Sequence, residues 1–201
     1  MEFFADILEY RYLLHALLAA VFAGITCGIV GTYVVARRRV FLCGGITHSS
    51  FGGLGIALWA GVNPIAGAMA FAVLSALGIE WASDRGKMRE DSAIGIMWGV
   101  GMAIGALFMS LTPGYTSGDL ASYMFGSIVT VTQTDVILLG LFTLLCVVGF
   151  AVWWRQVMYL AFDREFAASQ GIAVRAVSYL LIVVVAVLIV WLVSLVKKPG
   201  A

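Results

Sequence analysis

The segment GGITHSSFGGLG, residues 44–55, places one histidine and three hydroxyls inside an otherwise apolar run. An ionisable side chain within a membrane-length segment is a functional hypothesis by default, and a neutral imidazole is a common ligand for borderline metals such as zinc. At helical spacing His48 shares a face with Gly44, Gly52 and Gly55, a smooth surface able to border a cavity along which an ion could pass. The same histidine would serve equally well as a hydrogen-bonding link to a neighbouring helix, since intramembrane polar residues are also used in that way. Three further positions invite chemistry. Asp119, in TPGYTSGDLASYMFG, can attract cations at a pore mouth or simply be solvated. His15 falls near the end of an apolar run, where an amphipathic ring serves as an interfacial anchor. Cys27, Cys43 and Cys146 are widely spaced in or beside apolar runs, without a CxxC pair, and read as small buried hydrophobes.

The elements that must position these groups are membrane helices. Of 201 residues, 62% are hydrophobic and 11% charged, against about 25% charged in ordinary soluble domains. Apolar stretches near membrane length recur throughout, so an all-α, polytopic transmembrane helix bundle of about six spans is expected, with no room for a separate soluble catalytic domain. A net charge of +1 without a basic stripe excludes nucleic acid as a partner and leaves membrane lipid as the surroundings. The N-terminal MEFFADILEYRY lacks the basic region and cleavage site of a signal peptide, so the first span is expected to stay in the mature protein.

The spans are expected at about 13–36, 46–61 (short for a bilayer), 64–81, 91–111, 135–154 and 174–196. Asn63 and Pro64 turn the chain into the third, Asp91 or Ser92 caps the fourth, and Asp135 caps the fifth. The stretch from about 112 to 134 is too polar and glycine-broken to cross and reads as an outer re-entrant or surface loop. With the N-terminus extracytoplasmic, nine basic residues of the twelve fall in inside loops: Arg37, Arg38, Arg39, Arg85, Lys87, Arg89, Arg155, Arg164 and Arg175. Arg11, Lys197 and Lys198 are left outside. Three GxxxG pairs are expected at helix contacts: Gly24 with Gly28, Gly95 with Gly99, and Gly101 with Gly105.

Between the last two spans lies a polar interruption, about 157–173, containing MYLAFDREFAASQGIAV. Asp163 can cap a short helix there, Glu165 occupies its first turn, Phe166 and Ala167 give it an apolar side, and Gly171 stops it. A basic, membrane-adsorbed helix would carry more positive charge, so this segment suits a docking element for a cytoplasmic protein better.

Four segments in order, RRRVFLCGGITHSSFGGLGIALWAG, REDSAIGIMWGVGMAIG, LTPGYTSGDLASYMFGSIVTVT and FDREFAASQGIAV, give the chain its resemblance to the metal-ion permeases of bacterial ABC importers, the group handling zinc, manganese and iron. The resemblance implies a single permease domain over 1–201 in the inner membrane, a homodimer, a cytoplasmic ATP-binding subunit, and an extracytoplasmic metal-binding protein. It implies divalent metal as cargo, with no cofactor in this subunit and ATP bound by the partner. His48 would match the histidine facing the translocation path, and FDREFAASQGIAV the coupling helix. Gly44 stands where the family usually has an acidic residue. The family also continues for two or more spans beyond SLVKKPGA, which together with the stranded Lys197 and Lys198 implies a C-terminally incomplete chain. No GxxxxGK[ST] loop is present for ATP, and no HExxH for a membrane metalloprotease. The alternatives are an ion-coupled secondary transporter or channel, and an ABC permease for a siderophore, haem or cobalamin.

Overall fold

The computed structural model describes residues 10–86, 88–114 and 131–195, with side chains to Leu192. Eight helices occur among them: α1 (Arg11–Ala36), α2 (Val40–Trp59), α3 (Pro64–Asp84), α4 (Glu90–Ser110), α5 (Gln133–Val152), α6 (Trp154–Phe162), α7 (Arg164–Ser169) and α8 (Val174–Leu195). Six of them, all but α6 and α7, are long and apolar enough to cross a membrane, and the described residues contain no strand. The protein is a multi-pass membrane protein with the all-α bundle expected from its sequence. Asp119, Lys197 and Lys198 lie outside the described residues, as does most of the loop at 112–134.

The second span is longer than its sequence suggested. It begins at Val40 rather than near Ile46, and its 20 residues reach about 30 Å, a full hydrocarbon thickness. The reason lies in the preceding turn. Arg38 adopts φ 56, the Arg38 N–H bonds to the Val35 carbonyl at 2.9 Å and the Arg39 N–H to Val34 at 2.9 Å, so α1 stops and α2 starts within three residues. A non-glycine residue held there costs about 1 kcal/mol, so the turn is held by what Arg37 and Arg39 bind. The same closure recurs with glycine at Gly61 (φ 67) and at Gly171 (φ 76).

Helix starts follow local chemistry, with two corrections. Asn63 caps α3 through Ile65 N at 2.9 Å and Ala66 N at 3.3 Å, with Pro64 in the first turn. The cap of α5 is Thr132, not Asp135; Asp135 sits three residues on and accepts a bond from Thr132 N at 3.0 Å, closing a capping box. For α4 neither Asp91 nor Ser92 caps. Arg89 holds that position without a side-chain bond, because Glu90 is already helical and turned toward Arg39.

Packing divides the bundle around α8. Its Ile182, Ala186 and Val190 join a core built from α2, α3 and α4, while Leu181, Val185 and Leu188 join a second core with Val30, Tyr33 and Val34 of α1 and Leu160 of α6. A third cluster pairs Ala19 of α1 with Val136 and Leu139 of α5. Across that seam the buried Thr26 and Thr143 hydroxyls lie 2.9 Å apart, each also within reach of a carbonyl of its own helix, an interhelical link worth about 0.6–1 kcal/mol in lipid.

The glycines of α2 bring its neighbours close. A methyl at Gly52 would stand 2.9 Å from the Gly101 carbonyl, and one at Gly55 2.6 Å from the Gly105 carbonyl. Gly53 is pressed in the same way against Gly67 of α3. Two of the three expected GxxxG contacts are not made among the described residues. On α1, Gly24 and Gly28 are both exposed, and a Cβ at either would meet nothing within 4 Å. Gly28 is thus no helix contact here: it lies on the rim of an apolar cleft between α1 and α6, beside Thr32 and Trp154, and its carbonyl accepts a bond from Thr32 Oγ1 at 2.7 Å. The reason is that α1 packs through the face of Thr26, Val30 and Tyr33, which turns Gly28 outward. On α4, Gly95 and Gly99 likewise face open space, because that helix turns Gly101 and Gly105 to α2 instead.

Candidate translocation residues and the charged base of the bundle

His48 stands on α2 with its ring stacked on the indole of Trp98 from α4, centroids 4.3 Å apart and planes 8° from parallel. The close α2–α4 approach makes this stack possible, and Gly44 lies beside the same indole, where a Cβ would make an ordinary contact at 3.4 Å. Among the described residues the buried His48 Nδ1 has no hydrogen-bond partner, and the contact His48 makes to α4 is the ring stack. Nor do Gly52 and Gly55 border an open cavity, since α4 covers them. The hydroxyls beside it are internally satisfied: Thr47 donates to Cys43 O at 2.8 Å, Ser49 to Ile46 O at 3.0 Å and Ser50 to Thr47 O at 2.7 Å. Among the described residues no three His, Cys, Asp or Glu side chains converge to hold a metal ion. His48 is therefore a single imidazole whose buried Nδ1 has no partner among the described residues.

His15 is half-buried on α1. All three cysteines are free; Cys146 is buried, Cys43 half-buried and Cys27 exposed, so Cys27 is a surface residue of an apolar helix rather than a core filler.

The segment from 157 to 173 is two elements rather than one. Val157–Phe162 continue the helix α6, with Val157, Leu160 and Ala161 buried, and α7 follows after the extended Asp163. Asp163 caps α7 by accepting from Glu165 N at 2.8 Å and Phe166 N at 3.0 Å. Ala167 is fully buried beneath it, while Glu165 is exposed. Phe166 remains 46% exposed and meets Tyr159 edge-on, centroids 5.2 Å apart.

The group that sequence reasoning missed is Glu80. It lies on α3, 1% exposed, and its carboxylate holds Arg39 through Oε2 at 2.7 Å and Arg164 through Oε1 at 3.4 Å. Arg39, itself buried, also reaches Glu90 at 2.8 Å; Asp84 takes Arg175 at 3.0 Å and lies 3.9 Å from Arg164. Arg164 donates further to Ser178 Oγ at 3.2 Å, and Arg37 to the Leu160 carbonyl at 3.0 Å. Burial opposes the charge on Arg39, but the carboxylates of Glu80 and Glu90 outweigh it and hold the guanidinium above its ordinary range. Arg37 is drawn the other way, by burial first and then by repulsion from Arg39. The signal was present in the sequence, as Glu80 is an acid within an apolar span and such residues are functional by default. Trp98 gave no comparable signal, since one aromatic among apolar residues is unremarkable.

These features accompany clear likenesses to known proteins. The family model described as the ABC 3 transport family matches residues 9–197. An uncharacterized membrane protein of Synechocystis is 32% identical over 98% of this chain and 69% of its own length. The manganese transport system membrane protein MntC of Halalkalibacterium halodurans is 35% identical over 99% of this chain and 71% of its own. Against a relative in Chlamydia muridarum the chain spans 60% of that protein's length. Among solved structures, PsaBC from Streptococcus pneumoniae in complex with Fab superposes with a TM-score of 0.78 and 25% identity, covering 97% of this chain and 72% of that one. A match running from before α1 to beyond α8, joined to relatives of this identity and to the same bundle in space, places the chain in the ABC 3 transport family.

Proposed function

We propose that this chain is the membrane-spanning permease subunit of an ATP-driven importer that carries a divalent metal ion, manganese foremost, across the bacterial cytoplasmic membrane. The observation that carries the reading is family membership together with a close likeness to a protein named for manganese transport. The chain supplies a path and a docking surface, and hydrolysis belongs to a separate ATP-binding subunit. An extracytoplasmic metal-binding protein delivers the ion, and two copies of the permease form the pathway between them. In this reading the N-terminus lies outside and α6 and α7 face the cytoplasm, an orientation supported by the distribution of basic residues.

In this reading α7 is the coupling helix and Phe166 its apolar anchor, capped by Asp163 and closed by Gly171. ATP-driven closure of the ATP-binding subunits moves α7, and the bundle exchanges an outward-open for an inward-open arrangement. His48 meets the passing ion once that exchange uncovers its buried nitrogen, and the ion must be held loosely enough to leave. Asp119 would sit at the outer mouth.

The test is co-expression with a cognate ATP-binding subunit, followed by reconstitution and measurement of Mn2+ uptake. ATP-dependent uptake is expected. Uptake that proceeds without ATP on a proton or sodium gradient would sink the reading in favour of a secondary transporter.

A further inference from the structure

We propose that Glu80 is the joint through which α7 moves together with the helices that carry His48 and Trp98, an inference that rests on the importer reading above. Guanidiniums from the start of α2 and the start of α7 meet at this one carboxylate of α3. Arg39 is the N-cap of α2, and Glu90 is the first residue of α4; His48 and Trp98 stand about two to two and a half turns along those helices. Arg164 is the first residue of α7. One oxygen of Glu80 takes Arg39 and the other takes Arg164, while Arg39 reaches on to Glu90. A continuous chain of ion pairs thus runs from α7 to the bases of both helices that form the stacked pair.

Burial makes the inner part of this chain rigid. Glu80 and Arg39 are 1% and 6% exposed, and pulling them apart would strip both charges of their partner in a low dielectric. Arg164, one third exposed and 3.4 Å from Glu80, is the outer contact that ties α7 to this buried pair. The other requirement is an element free to tilt as a unit. α7 is bounded by Asp163 in an extended conformation and by Gly171 at φ 76, so both of its ends are non-helical positions able to absorb rotation. Motion of α7 is then passed through Arg164 to Glu80 and on to the feet of α2 and α4. Arg164, Glu80 and Arg39 are positioning residues and touch no cargo.

Arg164→Met tests the joint without breaking the core, since it leaves Glu80 bound to Arg39. Arg164→Lys restores the charge, and Arg155→Met on α6, where the guanidinium donates to Tyr159, is the control. The first measurement uses the full chain alone in detergent: hydrogen exchange of residues 164–169 should rise in Arg164→Met by about tenfold, in keeping with a coupling of 5–150-fold between linked elements. The second uses the reconstituted complex. Retention of the ATP-binding subunit and ATP hydrolysis should persist, Mn2+ carried per ATP should fall by about tenfold, and Arg164→Lys should recover part of it. Unchanged exchange in Arg164→Met would show that Glu80 does not hold α7. Faster exchange with an unchanged Mn2+-to-ATP ratio would show a static staple rather than a joint. If the parental chain retains no ATP-binding subunit, the importer reading fails and the coupling role falls with it, whereas the exchange result alone still reports whether Glu80 holds α7.

Discussion

Replacing Gly101 by alanine should separate α2 from α4, while the same change at Gly99, two residues away on the same helix, should not. A Cβ at Gly101 would lie 2.5 Å from Ser49 Cα and 2.7 Å from its carbonyl oxygen, both backbone atoms that no rotamer change can move. Restoring an ordinary contact of 3.4 Å requires the helices to part by 0.9 Å. Overpacking of this kind costs about 1–3 kcal/mol, partly offset by about 0.5–1 kcal/mol from the better helix propensity of alanine. The net loss, at about 2–4 °C per kcal/mol for a chain of this size, is a few degrees of melting temperature. Gly99 meets nothing within 4 Å, so there only the propensity gain remains and the melting temperature should hold or rise slightly. Thermal unfolding of the two variants in one detergent reads the difference directly. Because Trp98 rides on α4 just before Gly101, Gly101→Ala should also loosen the His48 stack, seen as a shift in indole fluorescence once the other tryptophans are replaced. Equal melting of Gly101→Ala, Gly99→Ala and the parent would refute the claim that these glycines set the helix spacing.

Other outcomes follow from the same geometry. His48→Ala should slow Mn2+ uptake at limiting metal with normal expression; a parental rate would make the stacked imidazole purely structural. Phe166→Asp should lose the ATP-binding subunit, as apolar anchors of this kind commonly contribute about 2 kcal/mol or more to an interface, whereas Val62→Asp at the opposite end of the bundle should not; pull-down on both variants decides. A cysteine at Met88, chosen because the neighbouring Gly86 sits at φ 61, should react with an impermeant thiol reagent only after membrane disruption in a chain otherwise free of cysteine. Labelling in intact cells would invert the topology. Thr26→Val should cost about 0.6–1 kcal/mol of stability alone but little more when combined with Thr143→Val, since the pair shares one interhelical bond; a fully additive double-mutant cycle would dismiss that bond.

The six spans and the short capped α7 were legible in the sequence because each is decided largely within a few residues. A backbone in hydrocarbon must satisfy its own hydrogen bonds, so apolar length alone makes Val174–Leu195 a helix. Asp163 caps α7 and Gly171 closes it through bonds to residues two to four positions away. Even the local errors were small: Thr132 displaced Asp135 by three residues within one capping box, and Arg38 took a left-handed turn that a glycine would have announced. What the tertiary structure alone decided is which faces meet. A GxxxG spacing permits close approach without choosing a partner, so Gly101 and Gly105 pack while Gly28 and Gly95 face outward. The glycines around His48 suit either a cavity or a helix contact, and only the seat of α4 on α2 makes them a contact that brings Trp98 onto the imidazole. Arg39 and Arg164 stand 41 and 84 positions from Glu80, and nothing local pairs them. The pairing arises because the packing of α2, α3, α4 and α8 brings their charged ends to one end of the bundle, where a buried carboxylate must find its cations.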